Sequence, residues 1–323
     1  MGCLTALALR DRSCSVTLVE RNVVAAQTSG ESSWAGAGIL FPLLPWMYKD
    51  AVNQLAMDGA RLYPALCERL LGETDIDPEY TQNGMQILPV FDEAAAINWC
   101  ESYQIPIQQN SNGLLLPLVA QVRPPHLLQA LRQLLIQENV TLLENTQLEP
   151  LKNVNNIDGW RTNTGAVLVA DAFVVTSGAW SFDLLKETAA GLNIKPMRGQ
   201  ILLYENVTEK LEHIIYSNGF YLVPRRDGLL LAGSTLEDVG FDKNTTEEVK
   251  QELQTKAESI MPSLKHAAIR KHWSGLRPGT PDNLPTIATH PSIKNLYLNT
   301  GHFRYGLTMA PASAAHSAKL VCG

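Results

Sequence analysis

The sequence predicts an α/β fold, α+β overall, in which two domains are interleaved along one chain. Three observations predict it. The chain opens on a helix-forming stretch followed by a β-branched strand that ends in an acid, Glu20. Strand-like runs bounded by turn residues gather between residues 200 and 232. The chain closes on a strand at 295–299 and a small-residue helix at 307–320, a return to the opening pattern. Residues 1–45, 123–200 and 270–323 are therefore expected to form one domain, and 46–122 and 201–269 a second, β-rich one. The 323 residues, 45% hydrophobic and 18% charged, suffice for two modest domains.

The elements follow in order. Residues 1–9 read as a helix with Leu4, Leu7 and Ala8 on one face. Ser15-Val16-Thr17-Leu18-Val19-Glu20, followed by Arg21, reads as a buried strand with an acid at its tip. Helix, link, strand and acid form the second half of a Rossmann-like βαβ unit, in which the acid takes ribose hydroxyls. From these residues alone Glu20 is either that acid or a solvated strand-end carboxylate. Gly2 stands where the third glycine of GxGxxG belongs; a strand and two glycines are expected before it. The Ser- and Gly-rich stretch 27–40 reads as a loop offering amides and hydroxyls to a phosphate or a flat ring.

Apolar residues at helical spacing predict a long helix over 50–71. A strand at 85–90, a helix at 92–103 and a strand at 114–119 come next. Pro124-Pro125 suits the first turn of a helix over Pro124–Gln137, and 140–144 is a strand. Asn163-Thr164-Gly165 predicts a hairpin between 154–162 and 166–169. A short buried strand at 171–176 is closed by Ser177-Gly178-Ala179-Trp180. Strands follow at 200–204, 220–223 and 229–232, then an amphipathic helix over 245–260.

Composition excludes several functions. The net charge of −6 is interrupted by no basic block, so a nucleic-acid partner is not expected. The apolar runs are short and broken, so no membrane span is expected. Five scattered cysteines read as isolated reduced thiols of a cytoplasmic protein, and the N-terminus lacks the order of a signal peptide. The seven histidines show no metal-ligand spacing, no GxSxG is present, and Asp282 and Glu237 have no paired-carboxylate context. His302 reads as a structural histidine in a Gly-rich turn.

Two arginines stand apart. Trp273-Ser274-Gly275-Leu276-Arg277-Pro278-Gly279-Thr280 frames one between turn residues near the end of a strand. Thr300-Gly301-His302-Phe303-Arg304-Tyr305-Gly306-Leu307-Thr308 places another just before a helix. A guanidinium fork fixed by a rigid turn matches a carboxylate bidentately; the other reading is a pair of surface salt bridges. The amides of Gly306, Leu307 and Thr308 give the helix a positive end that suits an electron-rich ring carbonyl.

These segments, with Pro196-Met197-Arg198-Gly199-Gln200, Tyr221-Leu222-Val223-Pro224-Arg225 and Gly233-Ser234-Thr235, resemble the FAD-dependent D-amino-acid oxidase superfamily over nearly the whole chain. Within it they stand nearest to the glycine oxidases of thiamine biosynthesis. The resemblance implies an FAD-binding Rossmann-like domain interleaved with a substrate domain. It implies Gly2, Glu20 and Arg21 at the nucleotide, and Ser32, Ser33, Ala37, Gly38 and Ile39 at the pyrophosphate and flavin edge. It further implies Leu148 at the adenine, and Gly301, His302, Phe303, Arg304, Tyr305, Gly306, Leu307 and Thr308 around the isoalloxazine. Arg277 and Tyr221 match the residues that bind a substrate carboxylate, and Arg304 a second arginine of that site. FAD is expected to be non-covalent, since Cys322, the one late cysteine, lies well past the Gly301 turn. The implied reaction is oxidative deamination of glycine, sarcosine or a small D-amino acid by dioxygen, with no side-chain base. A homo-oligomer is expected from the same resemblance. A quinone-linked dehydrogenase, a tRNA-base oxidase and a flavin-free remnant are the alternatives; the acidic balance argues against the second.

Overall fold

The computed structural model describes residues 1–27, 30–42 and 44–323. In chain order the first elements are α1 (Gly2–Arg10), β1 (Thr17–Val19), α2 (Ser32–Ala35), α3 (Asp50–Thr74), β2 (Met85–Ile87), α4 (Glu93–Ser102), β3 (Gln108–Asn110) and β4 (Gly113–Leu116). Then come α5 (Pro124–Gln137), β5 (Thr141–Leu143), β6 (Trp160–Arg161), β7 (Val167–Leu168), β8 (Phe173–Val175), α6 (Ser181–Leu185) and β9 (Lys195–Glu205). The remainder are β10 (Ile214–Ser217), β11 (Phe220–Pro224), β12 (Leu230–Gly233), α7 (Glu247–Ile260), β13 (Ala268–Gly279), β14 (Thr286–Thr289), β15 (Leu296–Thr300) and α8 (Gly306–Cys322).

Two parallel pairings build the nucleotide half. β1 pairs with β5, Leu18 opposite Leu142, and β15 pairs with β8, Leu298 opposite Val175. Over the first pair lies a helical layer in which Leu4 and Leu7 of α1 meet Tyr63 and Leu70 of α3, Leu127, Leu131 and Leu134 of α5 and Ala310 of α8. Each fully buried leucine contributes about 1.5–3 kcal/mol, so this layer anchors the domain. Gly59 lets α3 approach α8: a Cβ there would stand 2.1 Å from the Thr308 carbonyl oxygen.

The second half is one eight-stranded sheet, in the order β13-β9-β12-β11-β10-β2-β4-β3. Its strands come from both predicted β-rich segments, so the chain does interleave. β9 and β13, paired antiparallel over their whole lengths, run through positions 200 and 270, where the sequence reading divided the domains. One face packs α7 through Leu253 and Ala257; the other carries Ile201, Tyr216 and Tyr221 with Ile39 and Phe41.

Three expectations need correction. The stretch 27–40 is not all loop, because Ser32–Ala35 forms α2; Thr28 and Ser29 lie outside the described residues. The hairpin around Gly165 pairs only Trp160–Arg161 with Val167–Leu168, since the residues before Trp160 turn aside to place Ile157 in the core. The thiols are not all isolated: Cys14 and Cys322, 308 positions apart, have their sulfurs 3.5 Å from each other.

Candidate active site

A single cavity of about 1640 Å³ runs from the tip of β1 to the inner face of the eight-stranded sheet. That exceeds the roughly 300–1,000 Å³ of ordinary small-molecule pockets and suits a long, two-ended ligand.

One end is built by α1, β1 and β8. Gly2 faces Thr176: a Cβ there would lie 3.0 Å from the Thr176 hydroxyl and 3.4 Å from Leu18. This is the close helix–strand packing required of the third glycine in a dinucleotide turn. Glu20 follows β1 directly and accepts a hydrogen bond from the Asn22 amide at 2.9 Å. Burial pushes its carboxyl above the ordinary value, the Asn22 amide pulls it down, and Glu31 pushes it up again. Arg21 lays its guanidinium 4.1 Å from the Trp180 ring centre, and Trp180 stacks on Phe241. Leu148, bridged to Thr162, lines the same end.

The middle is the loop 36–39. Arg225, half-buried beneath it, donates to the Ala37 carbonyl at 2.7 Å, to Gln121 Oε1 at 2.6 Å and to the Val122 carbonyl at 3.1 Å. Desolvation pulls this guanidinium down to about 10, which still leaves it charged at neutral pH. Gly38 has φ +81° and its Cβ position lies 2.0 Å from the Val122 carbonyl oxygen, so both conformation and contact require glycine. Ser32 and Ser33 of α2, with Ala37 and Ile39, complete this wall.

The segment 301–308 forms the opposite wall. Gly301 has φ +81° and Phe303 φ +43°, a left-handed turn that swings the chain into α8. Asn283 accepts from the Arg304 amide at 3.1 Å, and Thr308 donates to the Ile39 carbonyl at 3.1 Å, tying the two walls together. α8 starts at Gly306 with no side-chain cap, and Gly306, Leu307 and Thr308 of its first turn line the cavity. Tyr305 is buried and edge-on to Tyr48, ring centres 5.1 Å apart. His302 turns away to Ser313, 3.0 Å from its Nε2, and burial pushes it down to about 3, so it is a neutral structural residue.

The far end belongs to the sheet. Arg277 of β13 lies over Gly199 of β9, where a Cβ would fall 2.0 Å from Nη1. Nη1 donates to the Thr235 carbonyl at 3.1 Å and Nη2 to the Ser234 hydroxyl at 2.8 Å. Neither partner is a carboxylate. Burial pushes the guanidinium below its ordinary value and the neighbouring Arg304 cation lowers it further, while Tyr221 and Glu237 act in favour of the charge. Arg304 is exposed on the same cavity and makes no ion pair among the described residues. Tyr221 sits opposite Gly233, whose missing side chain makes room for the ring.

Every residue that the resemblance assigned to nucleotide, flavin or substrate thus borders one cavity, although the ring of His302 is turned to Ser313. Sequence reasoning gave no role to Gly199, Ser234, Thr235, Tyr48, Tyr216 or Arg225, all of which shape it or its frame. The signal was present for four of them, in the segments Pro196-Met197-Arg198-Gly199-Gln200, Tyr221-Leu222-Val223-Pro224-Arg225 and Gly233-Ser234-Thr235. The two tyrosines carry no local mark and depend on tertiary folding.

Comparison with known proteins agrees with this geometry. The glycine oxidase of Pseudomonas aeruginosa is 38% identical over 341 residues, covering 100% of this chain and 92% of that protein. The glycine oxidase of Pseudomonas putida is 37% identical with the same coverage. Among solved structures, glycine oxidase from Geobacillus kaustophilus superposes with a TM-score of 0.88 at 26% identity, covering 99% of this chain and 91% of that one. No described helix is long and apolar enough to cross a membrane. Residues 1–320 match the family described as FAD dependent oxidoreductase, and the chain belongs to that family.

Proposed function

We propose that this chain catalyses the FAD-dependent oxidative deamination of glycine, sarcosine or a small D-amino acid, consuming dioxygen and water and releasing an oxo acid, hydrogen peroxide and ammonia, or methylamine from sarcosine. The observation that carries the reading is Arg277: a desolvated cation on the cavity wall whose hydrogen bonds go to a carbonyl and a hydroxyl. A desolvated cation with no carboxylate among its hydrogen-bond partners is costly, and a ligand carboxylate offsets that cost.

The residues present fit FAD held non-covalently. Glu20 and Arg21 would take the ribose end, with Leu148 near the adenine. The Gly2 turn, Ser32, Ser33, Ala37, Gly38 and Ile39 would line the pyrophosphate and flavin edge, and 301–308 the far side of the ring. When bound, FAD supplies a two-electron acceptor for the substrate Cα–H bond, with dioxygen as the final oxidant. Arg277 and Tyr221 hold the carboxylate and so fix which Cα hydrogen faces the cofactor wall. Arg304 adds positive charge at the cavity mouth. The positive end of α8, at Gly306, Leu307 and Thr308, would favour negative charge on a group bound beside it. His302 stays neutral and takes no proton, and no residue here is required as a base. Tyr48, Tyr216, Tyr221 and Ile201 crowd the sheet end, which favours a short side chain.

The interleaved ranges 1–45, 123–200 and 270–323 for the FAD domain, and 46–122 and 201–269 for the substrate domain, belong to the same reading, with β9 and β13 crossing the bounds at 200 and 270 as strands of the eight-stranded sheet. So do cytoplasmic residence, supported by the free thiols, and self-association into a homo-oligomer. Arg277→Ala tests the core of it. Carboxylate binding should weaken by about 2–5 kcal/mol, seen as a large rise in KM for glycine in a peroxide assay. Unchanged kinetics would refute the assignment.

A further inference from the structure

Arg277 does not hold itself in place; its two donors rest on the turn Ser234-Thr235. That turn has its own support. The Thr235 hydroxyl donates to Glu237 Oε1 at 2.5 Å and accepts from the Gln200 amide at 2.9 Å. Glu237 exchanges both backbone hydrogen bonds with Arg198, each at 2.9 Å. Its carboxylate accepts from Arg198 Nη2 at 2.7 Å and Nε at 3.2 Å, and from Gln200 Nε2 at 3.1 Å. Arg198 is 4% exposed and spends its remaining donor, Nη1, on Asp242 and the Asn244 carbonyl, both at 2.7 Å.

We propose that Glu237, clamped by Arg198 and Gln200, is a positioning residue that fixes the Ser234-Thr235 turn and through it the aim of Arg277 at a substrate carboxylate. This rests on the reading of Arg277 as the carboxylate clamp. The geometry leaves the turn few other supports: its hydroxyl and its position against β9 both converge on Glu237 and Gln200. Burial disfavours the Glu237 carboxylate, but Arg198, Thr235 and Gln200 together hold it below its ordinary range, so it is ionised throughout the neutral range. An ionised Glu237 is also among the charges that favour the Arg277 cation. A positioning role differs from a merely structural one in selectivity. Loosening the turn should weaken the grip on carboxylates and leave other ligand contacts in place.

The test compares holoenzyme variants Glu237→Gln, Thr235→Val and Arg277→Ala with wild type. Calorimetry with glycolate, a carboxylate lacking the amine, and with ethylamine, an amine lacking the carboxylate, gives a reading that needs no turnover; glycine kinetics give kcat and KM. Loss of a hydrogen bond to a charged group predicts roughly a tenfold weaker glycolate affinity and a matching rise in KM for the first two variants, with kcat within about threefold. Ethylamine affinity and bound FAD should not change. Two outcomes overturn the proposal: wild-type glycolate affinity in both Glu237→Gln and Thr235→Val, or equal losses for glycolate and ethylamine in the variant that retains FAD. If Arg277→Ala also binds glycolate like wild type, the carboxylate-clamp reading has failed, which is separable from failure of the Glu237 role alone.

Discussion

Replacing Gly199 by alanine should disarm the site while leaving the fold intact. The Arg277 guanidinium lies flat on the backbone of β9 at this residue, and an alanine Cβ would fall 2.0 Å from Nη1 and 2.3 Å from Cζ and Nη2. Ordinary contact begins near 3.4 Å, so the guanidinium must shift by about 1.4 Å. The donor bonds now at 3.1 and 2.8 Å cannot both survive such a shift with good geometry. One hydrogen bond from a charged donor is worth about 1.5–3 kcal/mol, and an ångström of misplacement costs about a hundredfold in rate. The expected result is a fall of roughly two orders of magnitude in kcat/KM for glycine, about 2.7 kcal/mol on the barrier. Because the displaced side chain swings into open cavity, not into packed core, Tm should move little. Peroxide production, calorimetric titration with glycolate and a thermal melt would be run side by side. A Gly199→Ala enzyme with kcat/KM within threefold of wild type would refute the placement of Arg277.

Gly59→Ala should act on stability instead. Its Cβ would meet the Thr308 carbonyl at 2.1 Å, forcing α3 and α8 apart. The overpacking cost of about 1–3 kcal/mol or more exceeds the gain of about 0.8–1 kcal/mol from replacing a helical glycine. Melting should come earlier and FAD fluorescence should appear at lower temperature; an unchanged Tm contradicts the packing. His302 should give pH dependence with a definite sign. Its folded value is pushed down to about 3 from 6.5, so the unfolded chain binds the extra proton below pH 6.5. Its stability contribution, fully present above that pH, is lost as pH falls toward 3, by about 1.4 kcal/mol per unit. Urea melts at stepped pH should therefore show a shallower decline for His302→Gln than for wild type. Finally, diamide should join Cys14 to Cys322, itself taking up the two hydrogens, read as a loss of two hydrogen atoms in intact mass and absent from Cys322→Ser. The reaction should speed up with pH, because burial raises the Cys322 thiol and only the thiolate attacks.

Much of the helical frame was legible because its signals are local. Pro124-Pro125 marked the start of α5, and the apolar period of α3 carried through to Thr74. Strands that owe their existence to a neighbour were harder to see. β3, Gln108-Gln109-Asn110, is exposed and polar, and it is a strand only because β4 supplies partners. β10 had a readable sign in Asn218-Gly219, both at positive φ, the turn that joins it to β11. The site divides the same way. Arg277 and Arg304 were marked by Gly and Pro framing, whereas Tyr48 and Tyr216 reach the cavity from distant strands and turns with nothing nearby to announce them. Glu237 was visible only as an acid without a carboxylate partner; its partners proved to be a cation, an amide and a hydroxyl.

β13 works as a ruler. Gly275 faces α2, its Cβ position 2.7 Å from Ala35, and Arg277 projects from the same side of the strand two residues later. The two backbone positions are therefore about 6.6 Å apart, two strand rises, and the Arg277 guanidinium folds back from its own position onto Gly199, the partner of Gly275 across the ladder. No rotamer change can alter that backbone spacing, and a slip of one residue against β9 would turn both features to the wrong face. The strand thus fixes where the two features are rooted, and the missing side chain of Gly199 fixes how far along it the guanidinium reaches back.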